Sequence, residues 1–227
     1  MTRTRIDWCD WTWNPVWGCR NSCEWCYARK IAKRFGLQVA GRDDFVPTWI
    51  ERNFLRPMPQ QPARIFVDSM SDLADWETVW TGKVFGKIRE NPQHLFLFLS
   101  KRPWNCECFD VKNTMLGYSA TNANSLLPVA KELYDGNVAF LSLEPLLADP
   151  DIWRLADHAR YIRWIIVGAE TGNRRDRVVP ERPWLQEIFH FCRTYQVPLF
   201  FKASLRQFWP ASAEFPQEYP ADFPRSL

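Results

Sequence analysis

Glycine is scarce in this sequence, at nine residues in 227, while proline is abundant at 17. Turns must therefore lean on proline, and the few glycines mark places where backbone has to pass close to something else. Long hydrophobic runs are absent. The most apolar stretches, around Leu95–Leu99 and Ile165–Val167, are strand-length and far short of the roughly 18 residues a membrane-spanning helix needs. The opening Met1-Thr2-Arg3-Thr4-Arg5-Ile6-Asp7 has no apolar core, so export is not expected, the cytoplasm is the expected compartment, and no membrane partner is implied. Neither charge dominates. The 29 basic and 26 acidic residues leave a net +3, which by itself does not announce a nucleic-acid binder. With 46% hydrophobic and 24% charged residues, disordered, collagenous and low-complexity classes are excluded. A chain this long buries enough surface to hold a core without disulfides or metal.

Two residue types are present in excess. Thirteen tryptophans are more than a core of this size requires, which points some of them at a site or interface. Seven cysteines, an odd number with no export signal, argue against a disulfide framework. Cys19, Cys23 and Cys26 crowd into eight residues, whereas Cys9, Cys106, Cys108 and Cys192 are scattered.

A β-branched or aromatic run ending in polar residues recurs along the chain. Arg64–Val67 leads into Asp68-Ser69-Met70-Ser71-Asp72, His94–Leu99 into Ser100-Lys101-Arg102-Pro103, and Met115–Tyr118 into Ser119. Val138–Leu141 leads into Ser142-Leu143-Glu144-Pro145, Arg163–Val167 into Gly168-Ala169-Glu170, and Val197–Phe201 into Lys202. Runs without a polar face suit parallel strands buried on both sides. Helices are expected at about 72–90, 122–134 and 181–195, with Asp72 and Asn122 as N-caps, and an earlier strand within Ile6–Trp13. The pattern predicts an α/β fold, an incomplete parallel (β/α) barrel of about six to seven strands over residues 1–205, in preference to an open doubly wound sheet. Either architecture puts the site at the carboxyl ends of the strands. Residues 206–227 pair aromatics with proline, at Phe208-Trp209-Pro210, Phe215-Pro216, Tyr219-Pro220 and Phe223-Pro224, and read as an extended tail packed on the barrel; a partner-docking segment is the alternative.

The cysteine cluster is C-x3-C-x2-C with Trp25 just before the third thiol. Three such thiolates can each ligate a different iron of a cubane cluster, leaving the fourth iron open to a substrate or cofactor. A structural zinc site prefers four closed ligands in other spacings, and His94, His158 and His190 all lie far from the cluster in sequence. The motif resembles the signature of the radical S-adenosylmethionine superfamily. More narrowly, Trp13-Asn14-Pro15, Cys26-Tyr27-Ala28, Ser69-Met70-Ser71-Asp72, Lys101-Arg102-Pro103, Ser142-Leu143-Glu144-Pro145-Leu146-Leu147, Gly168-Ala169-Glu170-Thr171-Gly172 and Lys202 are similar to the pattern of a phage- and mobile-element-borne family of unknown function. The resemblance implies a [4Fe-4S] cluster on Cys19, Cys23 and Cys26. It also implies S-adenosylmethionine chelated at the open iron and, on one-electron reduction by an external donor, a 5′-deoxyadenosyl radical. Trp25 would lie against the adenine. Where the superfamily has a Gly-Gly-Glu-like stretch, this chain has Ser69-Met70-Ser71-Asp72, so Ser69, Ser71 and Asp72 are the expected cofactor-binding groups, joined by the strand-end Ser119 and Ser142.

Glu144, Glu170 and Lys202 are the candidate catalytic residues, because each is a charged group ending an apolar strand. Lys202 is expected either to pair with Glu170 or to grip a substrate carboxylate, since a lysine there is costly to bury alone. Lys101-Arg102 reads as a site element or a solvated turn, Cys106-x-Cys108 as incidental, and Cys192 as a core cysteine. A nucleic acid or nucleotide is the first expectation for the substrate, from the basic groups Arg29, Lys30, Lys33, Arg34 and Arg174, Arg175, Arg177 interleaved with aromatics. The competing class is a cysteine-braced nucleic-acid-binding module without radical chemistry. A hetero-complex with a partner protein is also expected from the resemblance.

Overall fold

Apolar runs lacking a polar face become strands here, because only a strand covered on both sides satisfies them. The computed structural model describes residues 1–106, 111–171 and 174–224; Cys108 and Gly172 of the motifs above lie outside the described residues. The chain forms two compact units, Met1–Met115 with Phe223, and Leu116–Asp222.

The first unit contains β1 (Thr2–Arg3), β2 (Trp11–Thr12), β3 (Val16–Trp17), α1 (Tyr27–Ala40), β4 (Thr48–Trp49), α2 (Glu51–Phe54), β5 (Arg64–Phe66), α3 (Thr78–Arg89) and β6 (Leu95–Ser100). β2, β5 and β6 are parallel neighbours, with Trp11 opposite Ile65 and Ile65 opposite Phe96. β2 is the strand expected within Ile6–Trp13, and β1 adds an antiparallel edge to it. β3 and β4 make a separate antiparallel pair; two-residue strands carry no periodicity by which a sequence could announce them. α1 turns Ala28, Ala32 and Gly36 inward at four-residue spacing, packing beside Phe45 and Met70. The helix expected over 72–90 is two pieces. Asp72 caps a single 3-10 turn, Leu73–Asp75, and α3 starts only at Thr78, after an extended Trp76 and Glu77.

The second unit contains β7 (Thr114–Ala120, which begins at the boundary), α4 (Ala123–Leu126), α5 (Val129–Tyr134), β8 (Phe140–Leu143), β9 (Trp164–Val167), α6 (Arg182–Tyr195) and β10 (Leu199–Phe201). Its strands run in the order β7-β8-β9-β10, all parallel. The helix expected over 122–134 breaks at Pro128, which has no N–H to continue the ladder and instead starts α5. Asn122 does cap it, in a reciprocal box with Ser125. α6 buries Leu185, Ile188, Phe191 and Cys192, so Cys192 is the core cysteine expected. After β10 the chain makes a 3-10 turn, Ala203–Phe208, and returns over the unit. Phe200 bridges Gln217, the Trp164 indole N–H donates to the Glu218 carbonyl at 2.8 Å, and Tyr219 packs on Trp164 and Phe200.

Among the described residues, seven strands have parallel partners and alternate with helices, which is the mixed α/β class expected. No described helix is long and apolar enough to cross a membrane.

Candidate functional site

Cys19, Cys23 and Cys26 lie on the loop from β3 to α1, all half-buried. Gly18 opens the loop at φ +106, where a side chain would meet the Val46 carbonyl oxygen at 2.2 Å; both facts demand glycine. The Gly18 N–H donates to the Met70 carbonyl and the Cys19 N–H to the Phe45 carbonyl, each at 2.9 Å. Further on, the Arg20 N–H donates to Asp75 Oδ2 at 2.7 Å, the Asn21 side-chain amide to Asp72 Oδ2 at 2.7 Å, and the Arg29 guanidinium to the Asn21 carbonyl at 2.8 Å. Cys26 is the N-cap of α1, its Sγ accepting the Arg29 N–H at 3.3 Å, so the positive end of the helix faces this sulfur. Burial pushes the Cys19 thiol up to about 12, against the Asn21 N–H that its sulfur accepts. Burial raises Cys23 as well, with Lys101 opposing. A metal taking these sulfurs as thiolates must displace their protons.

Beneath the loop, Asp72 is a buried hub. It accepts hydrogen bonds from the Ala74 and Lys101 N–H groups, the Asn21 amide and the Ser100 hydroxyl. Ser69 donates to Asn14 Oδ1 at 3.0 Å, and Ser71 accepts from the Trp76 indole at 3.0 Å. The three groups expected to touch a cofactor, Ser69, Ser71 and Asp72, thus direct these hydrogen bonds to the protein's own side chains and, for Asp72, to the Ala74 and Lys101 backbone. Arg102 is no solvated turn, since its guanidinium meets Asp75 Oδ1 at 2.6 Å. Cys106, expected to be incidental, is half-buried beside Ser100, and burial pushes its thiol up to about 12, with the Ser100 hydrogen bond opposing. Behind the hub, buried Asp68 accepts the Leu99 N–H through Oδ1 at 3.0 Å, while its Oδ2 has no hydrogen-bond partner. Burial holds this carboxyl well above the usual range. Asn14, Asn21, Asp68 and Asp75 are absent from the sequence-derived candidates; they act across 31 to 56 residues, and no local spacing reports that. Asn14 left a trace inside Trp13-Asn14-Pro15, and Asp68 at the end of the Arg64–Val67 run.

Strand ends in the second unit carry Glu144, Glu170 and Lys202. The Lys202 ammonium pairs with Glu144, correcting the expected pairing with Glu170. The reason is Gly168, between them at the end of β9; a Cβ there would lie 3.0 Å from the Glu144 carboxyl and from Lys202 Cδ. Glu170 is held instead by Arg174, with contacts of 2.7 and 2.8 Å, and by the Val178 N–H at 3.2 Å. Ser119 donates to the Glu144 carbonyl at 3.5 Å, and the buried Ser142 hydroxyl has no hydrogen-bond partner. Trp25 is half-buried, with no ring stacked on it among the described residues.

Among the described residues no three His, Cys, Asp or Glu side chains converge where one metal ion could sit. A mononuclear zinc site requires such convergence, with every ligand within about 2.3 Å of one point. Three thiolates that each take a different iron of a cubane need not meet at a point. The loop offers three thiols on one tethered segment, with a helix N-terminus at the third.

Residues 3–211 match a family profile described as "Protein of unknown function (DUF5131)". No curated protein and no solved structure matches the chain.

Proposed function

We propose, for a chain that belongs to this family of unknown function, that it is a radical S-adenosylmethionine enzyme with a [4Fe-4S] cluster on Cys19, Cys23 and Cys26. The observation that carries the reading is the tethered cysteine loop, whose backbone is held by Asp75, Met70 and Phe45 and whose Asn21 side chain is held by Asp72, independently of any metal. Cys19, Cys23 and Cys26 would hold the cluster, which would supply one-electron reduction of S-adenosylmethionine. The protein's own groups do the remaining work. Lys101 and Arg29 place positive charge near Cys23 and oppose the burial that raises its thiol. Trp25 offers a ring face to adenine. Within the second unit, Glu144 and Lys202 are the catalytic groups of this reading, with Glu170 fixed by Arg174. The substrate is a nucleic acid or nucleotide, for which the exposed Lys30, Lys33 and Arg34 of α1 supply phosphate contacts. The barrel predicted from the β-α alternation belongs to the same proposal, as does an external electron donor.

The test is anaerobic iron and sulfide reconstitution, followed by iron and acid-labile sulfide analysis and detection of 5′-deoxyadenosine after adding S-adenosylmethionine and a strong reductant. About four irons per chain are expected, lost on Cys19→Ala, Cys23→Ala or Cys26→Ala and kept on Cys9→Ala or Cys192→Ala. Stoichiometric zinc without iron or sulfide in anaerobic preparations would overturn the proposal.

A further inference from the structure

Ala28, Ala32 and Gly36 set which face of α1 is buried. Lys30 and Arg34 stand two residues from them, and at 3.6 residues per turn two steps lead almost to the opposite side. Both cations are exposed, as is Lys33. Along one flank Tyr27, Ile31 and Phe35 are also exposed, at four-residue spacing. The helix carries Arg29, Lys30, Lys33 and Arg34 and no acid, against a net charge of +3 for the whole chain. Arg29 is spent on the Asn21 carbonyl and the buried Phe45 ring. Among the described residues, no carboxylate pairs with Lys30, Lys33 or Arg34. The nearest acids in sequence, Glu24, Asp43 and Asp44, lie outside the helix, and Arg42 takes Asp44. The two rings are held in place. Tyr27 is 50% exposed, yet its hydroxyl donates to the Ser69 carbonyl at 2.7 Å. The Arg34 guanidinium lies 5.0 Å from the Phe35 ring centroid, within cation–π range.

We infer that this face binds single-stranded nucleic acid, with phosphates on Lys30, Lys33 and Arg34 and unpaired bases against Tyr27 and Phe35. The inference rests on the proposed function only for its choice of substrate, since such binding needs neither cluster nor S-adenosylmethionine. The placement of charge selects the occupant. A protein interface gathers apolar groups at its centre and charge at its rim, and a helix lying in a lipid surface turns its apolar side inward. Here cations hold the centre of the face and rings its flank, which suits a phosphate backbone whose bases turn aside to stack. A duplex keeps its bases in the stack, out of reach of the rings. One nucleotide does not span them, because Tyr27 and Phe35 stand about 12 Å apart along the helix axis. Tyr27 directly follows Cys26, so a strand lying along α1 ends beside the cysteine loop.

Fluorescence anisotropy on the full chain, before any cluster reconstitution, tests the inference. The probes are a labelled oligothymidylate of about 12 nucleotides, within the usual span of single-strand sites, a duplex of the same length, and thymidine monophosphate as competitor. The single strand should bind at least tenfold more tightly than the duplex, and the mononucleotide should compete at least tenfold more weakly than unlabelled strand. Lys30→Gln, Lys33→Gln and Arg34→Gln combined should weaken binding at least tenfold without moving the melting temperature. The combined variant should also flatten the slope of log affinity against log salt by about 2, at about 0.7 per phosphate contact. Phe35→Leu keeps an apolar side chain but removes the ring, and should weaken binding about fivefold at unchanged slope. Strand binding no tighter than duplex binding, an unchanged slope in the triple variant, or an unchanged affinity in Phe35→Leu would overturn the inference. So would retention on phosphatidylserine vesicles with none on the oligonucleotide. Failure here leaves the formation of 5′-deoxyadenosine untouched, so the two readings fall separately.

Discussion

Polar residues at the strand ends follow different rules in the two units. In the first, Asp72 is buried and serves four donors from three stretches of chain. In the second, Glu144 pairs with Lys202 while 26% and 17% of their side chains stay exposed. The glycines repeat the contrast. A methyl group on Gly18 would strike backbone at Val46, which cannot yield, whereas one on Gly168 would press only on the side chains of Glu144 and Lys202, which can. Rigid satisfaction at Asp72 and adjustable pairing at Glu144 and Lys202 teach a division of labour. The first set of residues fixes a loop, and the second leaves charge within reach of solvent.

The severest break of this comparison is Asp72→Ala. It strands several buried donors at once, each costing about 1–3 kcal/mol, and the four share one pocket, so the total should be about 3–5 kcal/mol in urea unfolding rather than their sum. Asp72→Asn should lose clearly less, since it keeps one acceptor oxygen. A loss under about 1 kcal/mol for the alanine variant would show that the hub is not structural and would return Asp72 to the cofactor. Gly18→Ala comes next, at about 2–4 kcal/mol, from positive φ and a backbone clash together. It should also lower iron incorporation, whereas Gly168→Ala should not. Equal stability loss at the two glycines would erase the distinction.

The strands were legible because each apolar run is continuous, and the ends of those runs led to Ser69, Glu144 and Lys202, while the cysteine spacing led to Cys19. The cap at Asn122 was legible too, since Asn with Ser three residues on is a local pattern. The break at Pro128 could have been read from the proline itself, but apolar residues on both sides suggested one helix. Asp75, Asn21 and Asp68 were not legible. Each works through a partner brought near only by the parallel crossovers, and an isolated acid or amide in a loop looks the same whether solvated or buried. The choice of Glu144 over Glu170 for Lys202 likewise turns on Gly168 and Arg174, which no spacing rule connects.

Asp68 sharpens the comparison through pH. Burial raises its folded pKa above the unfolded value of roughly 3.9, so the folded state holds a proton that the unfolded state releases. The associated stability is complete below the unfolded pKa and is lost as pH rises through the folded one. Asp68→Asn keeps an oxygen for the Leu99 N–H and removes the titration. Its stability relative to the parent should therefore climb as pH rises from about 4 and level off once the parent carboxyl ionises. Urea midpoints measured for both proteins across this range decide it; a difference that stays flat with pH means that Asp68 is already ionised in the fold.

The smallest stability effect belongs to the pair in the second unit. Glu144→Gln removes a charge at nearly constant volume, and Lys202→Met keeps the stem while deleting the ammonium. A pair that retains exposure on both members is worth little, about 1 kcal/mol or less after solvent screening, so each variant should melt close to the parent. Coupling of S-adenosylmethionine cleavage to substrate should nonetheless fall more than tenfold, because a group that positions reacting atoms acts mainly in the transition state. The double variant discriminates further. If the two residues only neutralise each other, removing both should restore whatever either single change costs. If both act on substrate, the double variant should be at least as inactive as the worse single one. A loss of about 3–5 kcal/mol in either single variant, recovered in the double, is the signature of a buried structural pair and would take Glu144 and Lys202 out of the site.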